Sequence, residues 1–247
     1  MSKYTFRVSR SADETSSSPQ REFSVELDHR MTVLDGLFEI QRKIDPSLSF
    51  RCSCRVGMCG SCAMVVNYEP RLACQTRVEK LKSAVINVAP LHHYPVMKDL
   101  VVDMAPFFDQ WKKGRPSLHP AIKGNKKLAI VPPDSEFGKH AAHKRDCITC
   151  GACYSACSIP GSNPDYLGPA AINKSLLRLL DPRDSLVADR LQAVNSETGV
   201  WRCHAQFNCV AACPKSIPLT DSIMYLKRNL ARPGKFNDKL SDPNTAH

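Results

Sequence analysis

Two runs of cysteine in the second half of the chain share one spacing, and they constrain the fold more than any other feature. The first run, from Cys147 to Cys157, reads C-x2-C-x2-C-x3-C. The second run, from Cys203 to Pro214, keeps the same frame, except that its second cysteine position holds Gln206. Such a repeat brings many sulfur side chains to a few points, so the second half of the chain has to fold around them.

The spacing predicts two iron–sulfur clusters. In two-cluster ferredoxins of the bacterial type, the fourth cysteine of each C-x2-C-x2-C-x3-C-P run binds the cluster of the other run. The same crossing gives a complete 4Fe–4S ligand set, which comprises Cys147, Cys150, Cys153 and Cys213. It leaves three thiolates for the other site, which suit a 3Fe–4S cluster: Cys157, Cys203 and Cys209.

A third group of cysteines, in the first half, has the spacing C-x4-C-x2-C with a distant fourth cysteine, which is typical of a plant-type 2Fe–2S centre. Its members are Cys54, Cys59, Cys62 and Cys74. Gly57 and Gly60 lie between them and allow the backbone to fold tightly around a cluster. Cys52 is left over, because counting from it would give x6 in place of x4. We predict that it is a surplus thiol.

Zinc is the alternative for both groups, because spaced cysteine pairs also bind this metal. A tetrahedral zinc site takes four ligands, which does not suit seven thiolates with a Cys-Pro ending. In the first half, the x4 and x2 spacing with its glycines also argues against zinc or free thiols.

Composition limits the cellular compartment in which the chain can work and the kinds of partner that it can bind. A chain of 247 residues with 12 cysteines needs either an oxidising compartment with disulfides or a reducing one with metal. The chain opens with a strand-like alternation and not with a secretory signal, so we expect metal ligands in a reducing compartment. The net charge is +10, but Lys and Arg are spread along the chain, which favours an anionic membrane surface or an acidic partner over nucleic acid. No run of about 18 apolar residues is present, so no membrane span is expected.

Hydrophobic periodicity predicts an α+β first half. Two alternating strands are joined by a Ser-rich connection between Ser9 and Arg21, and Thr32 and Asp35 have capping-box-like spacing at the start of a helix. Short strands are then predicted at Ala63–Val66, Leu72–Ala73 and Val85–Val88. The apolar segment Met97–Met104 is expected to pack at the junction between two domains.

The second half is predicted to be helical. Phe107, Phe108 and Trp111 lie at helical spacing and are interpreted as core residues. An exposed loop is predicted from Gly124 to Gly138. Helices are expected around Ile172–Leu180, Ser185–Val194 and Leu219–Leu230, and a mobile polar tail from Lys235 to His247.

Taken together, these motifs make the chain similar to the iron–sulfur subunits of succinate dehydrogenase and fumarate reductase, respiratory complex II. The resemblance covers nearly the whole chain and includes S-C-R-V-G-M-C-G-S-C-A-M around the first cysteines. The other matching stretches are Leu72–Cys74, Lys98–Met104, Asn163–Ala170, Asp181–Asp184, Arg202–His204, Asn208–Cys209 and Cys213–Lys215. A stand-alone ferredoxin would be shorter and acidic. An adaptor of a heterodisulfide-reductase-like complex would carry two complete 4Fe–4S motifs.

The resemblance implies a fold and a role. It implies an N-terminal β-grasp domain of the plant-type ferredoxin kind, residues 1–104, and a C-terminal all-α domain of the bacterial ferredoxin kind, residues 105–247. A flavoprotein partner with FAD would oxidise succinate, and electrons would pass through the 2Fe–2S, 4Fe–4S and 3Fe–4S clusters to a quinone at a membrane anchor. The subunit would be a peripheral membrane protein on the cytoplasmic or mitochondrial matrix face. The sequence leaves the direction open, because fumarate reductases share these motifs.

The family also places the quinone beside the 3Fe–4S cluster. By that resemblance the residues near the quinone are Ser158, His204 and Gln206. The chain lacks the Trp pair common in ubiquinone-type members, because Gly161 and Ser162 stand at those positions. His204 has a second interpretation, as a structural histidine next to a ligand.

Overall fold

The structure is a computed structural model that describes residues 2–11, 20–120 and 130–232. The chain forms two compact units. The first comprises Met1–Met104, Ile148–Ala156 and Ala212–Pro214, and the second Ala105–Cys147, Cys157–Ala211 and Lys215–His247. The domain division at residues 104 and 105 stays a prediction. Most of the predicted Ser-rich connection, and all of the predicted tail, lie outside the described residues.

The first unit is built on a five-stranded sheet with the strand order β2-β1-β5-β3-β4. The strands are β1 (Ser2–Ser9), β2 (Gln20–Leu27), β3 (Ala63–Val66), β4 (Glu69–Leu72) and β5 (Val85–Ala89). β1 pairs in parallel with β5, and the other pairs are antiparallel. This mixed sheet, with one helix packed on it, is the predicted β-grasp arrangement. The β3 prediction is confirmed, whereas the next strand ends at Leu72 and does not extend through Ala73.

Helix α1 (Val33–Lys43) begins where the capping-box spacing predicts it. The Thr32 hydroxyl accepts from the backbone N–H of Asp35, and the Asp35 carboxylate accepts from the backbone N–H of Thr32 at 2.8 Å. Gly36 faces the ring of Phe6 on β1, because a Cβ on Gly36 would lie 2.3 Å from that ring. The helix therefore packs tightly on the sheet and buries its apolar face in the core of the first unit.

A short hairpin of β6 (Val96–Lys98) and β7 (Val101–Val102) follows the sheet. Asp99, at its turn, is buried and accepts hydrogen bonds from the backbone N–H groups of Ser11 and Ser49, each at 2.9 Å. The expectation that the whole segment from Met97 packs is only partly correct. Val102 is buried, but Met97 is 64% exposed because β6 lies on the surface.

The second unit is helical, as predicted. Its helices are α2 (Ala105–Lys113), α3 (Glu136–Lys144), α5 (Ile159–Ser162), α6 (Gly168–Leu180), α7 (Val187–Val194), α8 (Asn208–Ala211) and α9 (Leu219–Leu230). The short helix α4 (Ala152–Ser155) belongs to the first unit. Helix α6 is almost entirely buried and contacts α2, α3, α7 and α9, so it is the centre of this unit.

Two predictions for the second unit need correction. Phe107 is buried on α2, but Phe108 is 39% exposed, because it lies on the outer face of the helix and makes an edge contact with Phe107. The loop predicted up to Gly138 is too long, because α3 begins at Glu136. Ser135 caps α3 by accepting a hydrogen bond from the backbone N–H of Gly138 at 3.0 Å.

A fully buried ion pair between Arg190 and Asp184 holds part of the second unit together. The Arg190 guanidinium also donates to the backbone carbonyls of Arg115 at 2.8 Å and Ser117 at 2.5 Å. It thus fixes the segment after α2 to the middle of α7. Among residues 2–11, 20–120 and 130–232, no helix is long and apolar enough to cross a membrane.

Candidate metal centres

The loop from Cys54 to Cys62 directs backbone donors at sulfur. The Sγ of Cys54 accepts from the backbone N–H groups of Met58 at 3.2 Å and Cys59 at 3.3 Å. Three of its residues have positive φ: Arg55 at 58°, Gly57 at 74° and Gly60 at 76°. These left-handed turns curl the loop so that two of its amides face the Sγ of Cys54, an arrangement that suits the predicted 2Fe–2S cluster.

The cysteines of this loop differ in how readily they become thiolates. The hydroxyl of Ser61, followed by backbone N–H groups, lowers the pKa of Cys59 to about 6. Burial, followed by the neighbouring Cys74, raises the pKa of Cys62 to about 12. A buried thiol of this kind loses its proton only to a strongly cationic centre beside it, as iron supplies.

Cys74 and Cys52 lie in different surroundings. Cys74 is buried in the short 3₁₀ helix Ala73–Gln75, where the side-chain amide of Gln75 lies 3.9 Å from its Sγ. Cys52 is half-buried and packs against the hydrophobic core of the first unit. These positions agree with a role for Cys74 as a ligand and Cys52 as a packing residue, and both assignments stay predictions.

Three predicted 4Fe–4S ligands, Cys150, Cys153 and Cys213, belong to the first compact unit, and Cys147 belongs to the second. Cys153 is buried on α4, which begins after Gly151 with φ 78°. The Tyr94 hydroxyl donates to the Gly151 carbonyl at 3.2 Å. Burial, followed by the negative charge of Cys153, raises the pKa of Tyr94. Tyr94 therefore stays protonated and supports the turn that carries these cysteines.

The predicted 3Fe–4S ligands share one pocket in the second unit. Cys157, Cys203 and Cys209 all line it, together with Gln206 and His204. Burial, followed by the charges of Cys209 and Cys203, raises the pKa of Cys157 to about 11. Burial likewise raises the pKa of Cys209, whose Sγ lies 3.5 Å from the Thr220 hydroxyl. Cys157 and Cys209, whose pKa values are both raised, need a cationic centre beside them to become thiolates together.

Tyr166 supplies an independent test of whether this pocket fits a cluster. Its side chain is fully buried and lines the same pocket. Its hydroxyl has no acceptor of good geometry among the described residues. Burial raises its pKa, and the charges of Cys203 and Cys157 raise it further. A buried hydroxyl without an acceptor is costly, and a sulfur atom of a cluster held by these cysteines would accept its hydrogen bond.

Gln206, which stands where a fourth thiolate ligand would be expected, is hydrogen-bonded to Ser158. The Ser158 hydroxyl donates to the side-chain carbonyl of Gln206 at 2.9 Å. The structure thus brings together the three residues predicted near the quinone, since Ser158 contacts Gln206 and His204 lines the same pocket as Gln206. Phe207, next in the chain, is 56% exposed.

One contact in this region was missed by sequence reasoning. Lys227, in the last turn of α9, donates to the backbone carbonyl of Cys203 at 2.6 Å. It thereby places a cation beside a predicted cluster ligand that lies 24 residues earlier in the chain. A basic residue near the end of a helix is a common feature, so the sequence contained no specific signal for this contact.

Comparison with known proteins gives two domain matches. Residues 5–109 match a 2Fe-2S iron-sulfur cluster binding domain, and residues 143–217 match a 4Fe-4S dicluster domain. The chain is 36% identical over 236 residues to a fumarate reductase iron-sulfur subunit of Mycobacterium tuberculosis, and this match covers 94% of each chain. It is 38% identical to a mitochondrial succinate dehydrogenase [ubiquinone] iron-sulfur subunit of Oryza sativa, over 91% of this chain and 81% of that one.

The chain belongs to the succinate dehydrogenase and fumarate reductase iron–sulfur subunits. A chain of the Mycobacterium smegmatis Sdh1 complex has the same fold, with a TM-score of 0.81, 29% identity and 98% coverage of both chains. This iron–sulfur subunit is therefore an electron-transfer component of an oxidoreductase complex, with a 2Fe–2S and a 4Fe–4S domain. The family identity predicted from the motifs is confirmed.

Proposed function

We propose that this iron–sulfur subunit serves a succinate dehydrogenase. In this proposal it receives electrons from the FAD of a flavoprotein subunit and delivers them, through 2Fe–2S, 4Fe–4S and 3Fe–4S clusters, to a quinone at a membrane anchor. The observation that carries the electron-transfer role, in either direction, is the pocket in which Cys157, Cys203 and Cys209 converge while Gln206 occupies the position of a fourth thiolate. A site with three thiolates is what a 3Fe–4S centre requires.

Each cluster would be held by its predicted set of thiolates. Cys54, Cys59, Cys62 and Cys74 would hold the 2Fe–2S cluster, and Cys147, Cys150, Cys153 and Cys213 the 4Fe–4S cluster. Clusters of this kind supply one-electron chemistry, with potentials set by charge, hydrogen bonds to sulfur and exposure.

The chain's own groups would adjust those potentials. The N–H groups of Met58 and Cys59 donate to the Sγ of Cys54, and the N–H of Ala205 donates to the Sγ of Cys203 at 3.3 Å. Donors aimed at sulfur stabilise the more negative, reduced state and so raise the reduction potential. Lys227 would act in the same direction at the 3Fe–4S site.

The two ends of the electron path would face different partners. Val56 and Met58, in the loop of the first cluster, are 65% and 63% exposed. Large exposed apolar side chains of this kind mark an interaction surface, and we assign this one to the flavoprotein subunit. At the other end, Ser158, His204 and Gln206 would lie towards the quinone and the anchor.

Quinone binding would depend on polar groups from this chain. Because Gly161 and Ser162 stand where related chains have a Trp pair, these two positions offer no indole to stack on a ring or to donate a hydrogen bond. Ser158, whose hydroxyl would have to turn from Gln206, and the side-chain amide of Gln206 would be donors to the quinone beside His204. The subunit would bind peripherally on the cytoplasmic or mitochondrial matrix face, where its basic surplus favours anionic headgroups.

Activity of the purified complex tests the direction. The complex should be isolated with its flavoprotein and anchor, and succinate oxidation by quinone compared with fumarate reduction by quinol at one pH and temperature. We expect succinate oxidation to have the larger kcat. Faster fumarate reduction would assign the subunit to a fumarate reductase, the activity in the name of the Mycobacterium tuberculosis relative. Absence of both activities would refute the proposal.

A further inference from the structure

Gly60 lies against a cysteine from the second half of the chain. A Cβ added to Gly60 would lie 2.7 Å from the Cβ of Cys150 and 3.0 Å from its Cα. It would also lie 3.2 Å from the backbone carbonyl oxygen of Ile148. All three residues belong to the first compact unit, and Ile148 and Cys150 pack against its core. The contact is therefore with backbone atoms and a Cβ, whose positions do not change when a side chain rotates, so it cannot be relieved in that way.

Gly60 and Cys150 belong to the predicted ligand segments of two different clusters. Gly60 is next to Cys59 and two residues before Cys62, both predicted ligands of the 2Fe–2S cluster. Cys150 is a predicted ligand of the 4Fe–4S cluster. Gly60 is also buried and has φ 76°, a conformation that glycine adopts readily and other residues rarely.

We propose that Gly60 is a positioning residue that sets how closely the 2Fe–2S loop approaches Cys150, and that this contact is where an electron crosses between the first two centres. The inference rests on the proposed function. The step moves one electron, so that the donor centre is oxidised by one electron and the acceptor reduced by one. No bond breaks and no proton is transferred.

The size of the effect follows from the spacing. Carbon atoms in ordinary contact lie about 3.5–4.0 Å apart, so a methyl group on Gly60 would push the two segments apart by roughly 1 Å. Electron transfer between two centres becomes slower as the distance between them grows, and the enhancement of spin relaxation also falls with that distance. We therefore expect a slower transfer and a smaller relaxation enhancement in Gly60→Ala than in Gly57→Ala.

Gly57 provides a matched control in the same loop. It is also buried and has φ 74°, so Gly57→Ala introduces nearly the same backbone strain. A Cβ there would meet the side chain of Gln75, at 2.9 Å from Cγ and 3.0 Å from Cδ, and not Cys150. The two variants therefore differ chiefly in whether the added methyl group contacts a predicted 4Fe–4S ligand.

The experiment uses the whole complex with wild-type chain, Gly60→Ala and Gly57→Ala. Iron and sulfide content and the 2Fe–2S EPR signal show whether the clusters assemble. The spin-relaxation rate of the reduced 2Fe–2S centre is then measured with the 4Fe–4S centre oxidised and reduced, since a nearby paramagnet enhances relaxation. Rapid-freeze kinetics give the rate of electron transfer between the two centres. Gly60→Ala should keep both clusters but lose much of the enhancement, whereas Gly57→Ala should retain it.

Two results would overturn the inference. One is equal relaxation enhancement and equal rates in Gly60→Ala and Gly57→Ala. The other result is measured on the wild-type complex and applies even if Gly60→Ala fails to assemble its clusters. It is a 2Fe–2S relaxation rate that is the same whether the 4Fe–4S centre is oxidised or reduced. Both measurements concern the first two centres only, so they can fail while succinate oxidation and the 3Fe–4S signal, which test the proposed function, remain intact.

Discussion

Replacement of Arg190 by Met should destabilise the subunit strongly, because the change leaves buried groups without partners. Arg190 and Asp184 have fully buried side chains. In Arg190→Met the Asp184 carboxylate keeps, among the described residues, the backbone N–H groups of His119 at 3.3 Å and Leu186 at 2.9 Å. The carbonyls of Arg115 and Ser117 lose their guanidinium donors.

The magnitude follows from these losses. Breaking a buried ion pair by removal of one partner costs about 3–5 kcal/mol. The carbonyls of Arg115 and Ser117 belong to exposed residues, so water can replace their lost donors and they add little. A loss of about 3–5 kcal/mol is a large part of the roughly 5–15 kcal/mol that stabilises a folded domain. For a chain of this size it corresponds to a fall in melting temperature of roughly 10 °C.

The assay is thermal unfolding of the purified complex at one scan rate, followed by loss of the visible absorption of the clusters. Arg7→Met is the control, because Arg7 forms a 2.7 Å pair with Glu22 that is 45% and 59% exposed and contributes at most about 1 kcal/mol. The double variant Arg190→Met/Asp184→Asn should recover part of the lost melting temperature, because it no longer buries an unpaired charge. An Arg190→Met melting temperature close to that of Arg7→Met would refute the reasoning.

Three further predictions concern the clusters and the quinone. Cys52→Ser should leave the 2Fe–2S EPR signal in place and Cys54→Ser should abolish or severely alter it; the reverse would show that the wrong cysteine was assigned. His204→Ala should slow quinone reduction by about 100-fold if His204 passes protons to the quinone, yet spare dye reduction upstream of it; equal loss of both activities would favour the structural interpretation. Lys227→Met should lower the reduction potential of the 3Fe–4S centre and Lys227→Arg should largely preserve it, because a nearby cation stabilises the reduced state; an unchanged potential in Lys227→Met would contradict this.

Local signals explain what the sequence predicted well. Cysteine spacing defines candidate ligand sets without any knowledge of the fold, and the pocket now brings Cys157, Cys203 and Cys209 together as those sets require. The start of α1 was predicted because capping is a contact between Thr32 and Asp35, three residues apart. Residues 63–66 were predicted as a strand because their apolar run fits a buried strand of the sheet.

What was missed depends on contacts between distant parts of the chain. Helix α3 lies in a stretch whose prolines, glycines and charges are typical of a loop, and it is held by packing on α6. The exposure of Phe108 depends on which face of α2 meets the second unit, and spacing alone did not fix that face. The contacts of Lys227 with Cys203, and of Gly60 with Cys150, join residues 24 or more positions apart, for which the sequence has no periodic signal.

The central claim is that three thiolates and Gln206 form a 3Fe–4S site. The measurement that tests it most directly is EPR spectroscopy of the oxidised complex, with wild-type chain and with Gln206→Cys. The account predicts a 3Fe–4S signal in the wild type, and its loss in Gln206→Cys as a fourth thiolate holds a fourth iron. Two 4Fe–4S centres in the wild type, with no 3Fe–4S signal, would contradict the account.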